Sequence, residues 1–339
     1  MEGRAGVTAQ RTYWHLEGQG RVPQHYDIVT SRLLYHRELG FEVATPGAAW
    51  LRRHGLQSPL LGGFQAFSDP RATTYARYVE LQSERETFVE QLLEAAEQTG
   101  YDRTLSPEWV DVLEAVLPVL RYPCHALHML IAYVAHLAPE GRVVVAGAFQ
   151  AGDELRRVQH LARRMRQLQE LRGDFGSSAL AAWQEGPAWQ PLRKLLEQLL
   201  VTYDFGEAWV ALQLVVKPAL DELFMVQFAE LARERGDRLW AELAHSLAQD
   251  CRWHREWSDA LTRVALAEHA QNGELVQRWI TSWAQRVESA LPPLCNLWVI
   301  APECASAYGA GVLARCRKRW EALGLAIPVA EWAAREGEK

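Results

Sequence analysis

Residues 121–173 constrain the fold more than any other segment, because they predict two long helices joined at Pro139-Glu140-Gly141. Residues 126–138 are apolar on nearly every helical face, so we expect the first helix to be buried on all sides. The second helix has an apolar stripe at helical spacing and arginines mostly on the opposite side. The stripe is Leu155, Val158, Ala162 and Met165, widened by Leu161 and Leu168, and the arginines are Arg156, Arg157, Arg163, Arg164 and Arg166. A buried helix against an amphipathic antiparallel neighbour indicates the centre of a helical bundle.

The rest of the chain predicts further helices and no strand. Their approximate ranges are 70–100, 106–120, 178–184, 187–202, 204–234 with a kink at Pro218, 237–264, 274–291 and 305–323. The predicted fold is therefore all-α. It divides into an N-terminal arm over 1–66, a bundle over 67–293 that ends at Pro292-Pro293, and a C-terminal extension over 294–339 with one additional helix.

The first 66 residues combine many large side chains with no sustained helical period. A disordered tail would be poor in such residues. We therefore expect an extended arm that packs partly on its own bundle and partly on a partner chain. The alternative is a small satellite subdomain of this chain alone.

Composition favours a soluble cytoplasmic protein. The net charge of −6 gives no indication of nucleic-acid binding. The N-terminus lacks an apolar signal-like run, and we find no apolar stretch of 18 residues, so no membrane span is expected. The five cysteines have no CxxC spacing, which is typical of reduced thiols. The 14 tryptophans indicate either a large helical core or a large subunit interface.

A long helical bundle raises the possibility of a di-iron carboxylate site, which needs two glutamates and two Glu-x-x-His pairs on four helices. Only Glu242 and His245 have the Glu-x-x-His spacing, and one such pair is expected by chance. His125 and His128 could also ligate a metal, but the predicted helix that carries them has no carboxylate. Asp153, Glu154 and His160 are poorly spaced for chelation and have arginines nearby as ion partners. The sequence therefore predicts no metal, cofactor or catalytic site on this chain.

Patterns for other chemistries are also missing. The sequence contains no GxSxG, Walker or strand-associated GxGxxG motif. Cys124 precedes His125, but adjacent helical positions point about 100° apart and do not form a nucleophile–base dyad.

Several segments together resemble one known family. They are 11–16 (RTYWHL), 23–35 (PQHYDIVTSRLLY), 67–70 (FSDP) with Thr74, Tyr75 and Tyr78, 120–123 (LRYP), 132–135 (AYVA), 148–150 (AFQ) with Asp153, Leu155, Arg156 and His160, 189–192 (WQPL), 204–208 (DFGEA), 215–218 (VVKP), and Asp250, His254, Trp257, Ala260 and Leu261. Over about residues 10–291 the chain resembles the β subunit of the hydroxylase component of bacterial multicomponent monooxygenases, closest to the toluene and aromatic branch. The pattern departs after about Leu294.

The resemblance implies a ferritin-like bundle that lacks a metal site and supports a catalytic α subunit. It also implies a small γ subunit in an (αβγ)2 assembly, on which a reductase, a Rieske ferredoxin and an effector protein act. The α subunit would hold a di-iron centre that hydroxylates an aromatic ring with O2 and NAD(P)H-derived electrons. Alternatives are a β subunit of a related phenol, alkene or cyclic-ether monooxygenase, or a helical enzyme with its own metal. The residues expected at subunit interfaces are Tyr13, Trp14, Tyr26, Tyr35, Phe67, Tyr75, Tyr78, His125, His128 and Tyr133.

Overall fold

The computed structural model describes residue 16 and residues 22–38, 44–298 and 302–325, with only the backbone described over 302–306. Within these ranges the regular structure is helical, as the sequence predicts. Three short helices come first: α1 (His25–Thr30), α2 (Tyr35–Glu38) and α3 (Pro46–Leu51, which continues as a π-helix over Arg52–Leu56). The longer elements are α4 (Tyr75–Thr99), α5 (Pro107–Leu137), α6 (Gly141–Leu171), α7 (Ala179–Glu185), α8 (Gln190–Leu200), α10 (Arg238–Glu268), α11 (Gln271–Cys295) and α12 (Pro302–Ala322).

Helix α9 covers 205–234 and alternates between α and π turns. Its segments are Phe205–Val210 (α), Ala211–Val216 (π), Lys217–Asp221 (α), Glu222–Gln227 (π) and Phe228–Glu234 (α). The central bundle consists of two helix pairs, α5 with α6 and α9 with α10, each joined by a short turn. Helix α4 lies across α6 and α10, and α8, α11 and α12 pack against α5 and α9.

Prolines do not end the helices where the sequence predicted. The predicted break near Arg121 is absent, because α5 runs through Pro118 and Pro123 for 31 residues. Pro292 and Pro293 likewise lie inside α11, which ends at Cys295. An interior proline costs a helix about 3 kcal/mol. In α5 this cost is offset by burial, since most of its apolar side chains lie in the bundle core.

Helix starts depend on side-chain caps, and one differs from the prediction. Ser106 caps α5 by accepting from Trp109 N at 3.2 Å, with Pro107 at the first helical position as expected. Helix α4 begins at Tyr75 with Thr74 as its cap, rather than at Pro70. Asp69 instead accepts from Thr73 N and from the indole of Trp253, which ties the segment before α4 to α10.

Helix α5 is long and apolar enough to span a membrane by length and composition, contrary to our expectation that no such stretch exists. Of its most apolar window, 61% is buried inside the bundle. Its apolar character is that of a core helix.

The C-terminal helix completes the backbone hydrogen bonding of α9. Pro218 has no N–H, so it donates neither to Leu214 O, as an α turn would require, nor to Gln213 O, as a π turn would require. Trp320 Nε1 donates to Leu214 O at 2.8 Å, and Arg319 Nη1 donates to Gln213 O at 2.7 Å. The described part of the predicted extension, residues 302–325, therefore contributes to the core.

We predict that Trp320→Phe destabilises the protein more than Trp298→Phe, by about 1–3 kcal/mol. Both indoles are fully buried, but the Trp298 N–H has no hydrogen-bond partner among the described residues. Urea unfolding of the two variants measures the difference. Equal losses of stability would show that the bond to Leu214 contributes nothing.

Candidate functional site

Helix α6 turns its charged face into the bundle, so the predicted orientation is wrong. Leu155 is 39% exposed, and Val158, Ala162 and Met165 are only half-buried. Of the predicted stripe, Leu161 and Leu168 alone are buried. The polar side chains that occupy the interior are Gln150, Asp153, Glu154, Arg156, Arg157, His160 and Arg164.

Acidic partners from other elements explain this orientation. Arg164 donates to Asp102, which lies in the segment between α4 and α5, at 2.7 Å. Arg156 pairs with Glu86 on α4 and with Asp250 on α10, the latter at 2.9 Å. A buried charge is tolerated when it is paired and hydrogen-bonded. These partners lie 62 to 94 residues away along the chain, so the helical periodicity of α6 contains no trace of them.

At the centre of the bundle, four charged side chains form a closed ring, which we call the central ion ring: Glu154, Arg157, Lys217 and Asp221. Arg157 Nη1 lies 3.1 Å from Glu154 and 3.0 Å from Asp221. Lys217 Nζ lies 3.0 Å from Glu154 and 2.6 Å from Asp221. Each side chain is at most 3% exposed. The ring alternates two cations with two anions, so its net charge is zero.

The pKa shifts of Asp221, Lys217 and Arg157 each favour the charged form of the group. Burial alone would raise the pKa of Asp221, but Lys217 and Arg157 lower it to about 2. Burial would lower the pKa of Lys217, yet Asp221 and the other neighbouring acidic groups raise it above its usual value. The pKa of Arg157 is also raised, because Cys251, Glu154 and Asp221 outweigh the effect of burial. Burial raises the pKa of the Cys251 thiol to about 11, so the thiol is uncharged at neutral pH. The anionic partners of Arg157 are then the two carboxylates.

The local geometry of α6 and α9 brings the four side chains of the ring together. Glu154 and Arg157 are three residues apart on α6 and share one face. Lys217 and Asp221 bound the short α segment between the two π segments of α9. Arg157 Nη2 also reaches Cys251 Sγ on α10, at 2.8 Å. The ring therefore connects α6, α9 and α10.

The ring does not fit a di-metal carboxylate site. Such a site needs a glutamate from each of two helices and Glu-x-x-His from each of two others. Here α6 carries Glu154-x-x-Arg157, α9 carries Lys217 and α10 carries Cys251-x-x-His254. The two carboxylates of the ring thus contact cationic side chains, and over the described ranges no group of three His, Cys, Asp or Glu is placed to hold a metal.

A second polar cluster lies beside the ring, around Asp153. Its Oδ2 lies 2.8 Å from His254 Nε2, and its Oδ1 accepts from Tyr78 and Gln82 at 2.8 and 2.6 Å. Burial raises the pKa of Asp153 to about 7, with a further increase from Glu154. Burial and the charges of Lys217 and Arg157 lower the pKa of His254 well below its usual value. Both shifts favour an uncharged Asp–His pair.

We predict that Lys217→Met lowers the free energy of unfolding by about 3–5 kcal/mol, because it leaves a buried carboxylate unpaired. The double variant Lys217→Met/Asp221→Asn restores charge balance and should lose less. Denaturant unfolding of both proteins, compared with wild type, measures the two losses. A double variant less stable than the single one would contradict the charge-balance argument.

Asp153→Asn should remove a pH dependence of stability. Since the folded pKa of Asp153 is about 7 against an ordinary value of 3.8, rising pH deprotonates the unfolded state first. The wild type should therefore lose about 4 kcal/mol relative to the variant between about pH 4 and pH 7. Parallel unfolding curves across this range give the difference, in which the His254 contribution cancels. A difference independent of pH would exclude the raised pKa.

The residues predicted to lie at subunit interfaces differ in their exposure to solvent. Tyr35, Tyr75 and His125 are exposed, whereas Tyr78, His128 and Tyr133 are half-buried. Tyr26 and Phe67 are buried within this chain, where Tyr26 accepts from Asp69 N and the Phe67 ring lies 6.3 Å from Trp257. Their side chains have no surface to offer a partner. Tyr13 and Trp14 lie outside the described residues.

The weaker metal candidates are not arranged as ligands. Glu242 pairs with Arg233 at 3.3 Å, and His245 is exposed on the surface of α10. The rings of His125 and His128 stack at 5.8 Å, and His128 Nδ1 lies 2.9 Å from Ala151 O. The central ion ring is the feature that sequence reasoning missed. A signal was available in the sequence, because Lys217 and Asp221 lie within residues 208–224, where Gln213 and Glu222 are the only other polar residues.

Comparison with known proteins identifies the class. A family model described as methane/phenol/alkene hydroxylase matches residues 62–269. The chain is 32% identical to the β subunit of the hydroxylase component of the toluene-4-monooxygenase system of Ectopseudomonas mendocina, over 83% of this chain and 88% of that one. It is 28% identical to the oxygenase component of a phenol 2-monooxygenase of Pseudomonas sp. (strain CF600), over 80% of each chain.

Comparison with solved structures agrees with this class of protein. A chain in the structure of toluene 4-monooxygenase with toluene in its resting active site matches with a TM-score of 0.81 and 30% identity, over 87% of this chain and 99% of that one. A chain of phenol hydroxylase from Pseudomonas sp. OX1 matches with a TM-score of 0.79 and 20% identity over 96% of each, which supports the fold alone. The chain belongs to the methane/phenol/alkene hydroxylase family, among the β subunits of monooxygenase hydroxylase components. Its fold is the ferritin-like helical bundle that the sequence predicted.

Proposed function

We propose that this chain is a non-catalytic, structural β subunit of a multicomponent aromatic hydroxylase of the toluene type. In this role it supports a catalytic α subunit whose di-iron centre hydroxylates an aromatic ring with O2 and NAD(P)H-derived electrons. The central ion ring carries the proposal, because it fills the heart of the bundle with ion pairs between Glu154, Arg157, Lys217 and Asp221. Among the described residues, these side chains do not form a ligand set for a metal.

Stripes of exposed side chains on neighbouring helices support a partner subunit. Helix α5 was expected to be buried on all sides, yet it exposes His125, Met129, Ala132 and His136 at spacings of four, three and four residues, which places them on one face. Met129 is 40% exposed. The adjoining helix α6 exposes Ala148 and Leu155, seven residues apart. Large apolar patches that run along neighbouring helices are typical of protein interfaces.

Helix α4 adds to this surface. Tyr75 and Val79 are exposed on it, four residues apart and thus on one face, with Tyr75 at 72%. Aromatic residues and methionine are enriched in interfaces. We infer that these stripes of α4, α5 and α6 face the α subunit, and that the N-terminal arm extends the contact.

The remaining components follow from the same proposal. A small γ subunit would complete an (αβγ)2 assembly in the cytoplasm, and a reductase, a Rieske ferredoxin and an effector protein would act on it. The phenol 2-monooxygenase relative favours one alternative, a β subunit of a phenol hydroxylase. Substrate assays of the whole complex distinguish the two.

The first test is metal analysis of the full-length tagged chain, combined with its recovery from the native cytoplasm. We expect no stoichiometric iron or zinc on the chain itself and co-purification of a larger iron-bearing subunit. Two irons per chain without a partner would support an enzyme with its own metal instead.

A second test uses the stripes. Met129→Glu/Leu155→Glu should reduce recovery of the larger subunit at least about tenfold, because two desolvated carboxylates cost more than the 1.4 kcal/mol that this factor represents. The matched control is Leu180→Glu, which puts the same charge at an exposed leucine of α7, outside the stripes. Circular dichroism checks that helicity is kept. If the double variant recovers as much of the larger subunit as wild type does, the interface lies elsewhere on the chain.

A further inference from the structure

The central ion ring has the layout of a metal site in which cationic side chains occupy the metal positions. In di-metal carboxylate bundles, four helices direct carboxylates and imidazoles inward around two divalent cations. The present bundle keeps two inward carboxylates, Glu154 on α6 and Asp221 on α9. It also holds two positive groups, and each contacts both carboxylates at 2.6–3.1 Å.

The spacing of the surrounding residues strengthens the comparison. Glu154 and Arg157 have the i, i+3 spacing of a Glu-x-x-His pair, but the guanidinium contacts both carboxylates, as a metal ion would. Cys251 and His254 have the same relation on α10, and Cys251 Sγ lies 2.8 Å from Arg157 Nη2. Side chains from α6, α9 and α10 therefore surround this guanidinium.

Neither carboxylate oxygen of Glu154 accepts a well-oriented hydrogen bond, although the side chain is fully buried. Its charge is balanced by the two neighbouring cations through ion pairing alone. Glu154 thus behaves as a ligand of point charges, which is how a carboxylate binds a metal ion.

We propose that Arg157 and Lys217 are built-in replacements for two divalent metal ions, and that the core is a metal site closed by its own side chains. The inference concerns this chain alone and holds whichever partner it binds. Removing both cations should therefore convert the core into a site for a divalent ion of the zinc class. Zinc takes four ligands from thiolate, imidazole and carboxylate. Glu154, Asp221, Cys251 and an imidazole introduced at position 157 supply that set.

The test is the full-length variant Arg157→His/Lys217→Ala, titrated with Co²⁺ and Zn²⁺. We expect one metal ion per chain, a thiolate-to-cobalt charge-transfer band, and a rise of roughly 5 °C in Tm at saturating Zn²⁺. Metal binding deprotonates the coordinating thiol and releases its proton to solvent. The wild-type chain should show none of these responses.

Two matched controls locate the site. Adding Cys251→Ser to the variant should abolish the charge-transfer band, and adding Glu154→Gln/Asp221→Asn should abolish binding. A folded variant that binds no metal, or binds equally well without the two carboxylates, would overturn the proposal.

If the double variant is not recovered folded in standard medium, the same Arg157→His/Lys217→Ala variant is expressed in cells grown with added zinc. Its yield of folded chain should rise at least threefold in zinc-supplemented medium, while wild type stays unchanged. A yield that is independent of zinc would overturn the proposal as well.

Discussion

The closed ring of Glu154, Arg157, Lys217 and Asp221 is the constraint from which the rest of the architecture follows. Four buried charges are tolerated only when each is paired, so α6 must turn its charged face toward α9 and α10. That orientation forces Leu155, which a lone amphipathic helix would bury, to the outside. The same ion pairs that hold the core together thus create an apolar outer surface. Apolar side chains on such a surface are unfavourable in water unless another chain covers them. This gives a physical reason for membership of a multisubunit hydroxylase.

The ring also explains why the C-terminal helix is part of the bundle. Lys217 and Asp221 are presented by an α segment between two π segments, next to Pro218. This irregular backbone leaves carbonyl groups without their usual donors, and an unpaired buried carbonyl is costly. Arg319 and Trp320 supply the donors from α12. The region where the family resemblance in the sequence fades therefore stabilises the segment that carries half of the ring.

The sequence predicted features that depend on residues close together along the chain, and it missed features that depend on partners far apart along the chain. The helices and their all-α arrangement follow from local periodicity and from caps such as Ser106, and these predictions are confirmed. The burial of α6 was predicted on the wrong side, because Arg156 and Arg157 are paired with Asp250 and Asp221, 94 and 64 residues away. Periodicity compares the hydrophobicity of neighbouring positions, and such partners are invisible to it. The breaks predicted near Arg121 and at Pro292 were wrong for a related reason, since burial of the whole helix outweighs a local proline penalty.

Fixed cations and metal ions differ in a way that matters for a supporting subunit. A metal centre in a bundle can lose its ion, change oxidation state and shift its ligands, and each event changes the helix packing around it. Arg157 and Lys217 are covalently part of the chain, and the raised pKa values of both groups keep them charged throughout the neutral range. The central helices therefore keep one geometry whatever the metal supply or redox state. In the proposed function, a neighbour of this kind would present an unchanging surface to the catalytic subunit, so a core held by side-chain charge fits the supporting role proposed for this chain.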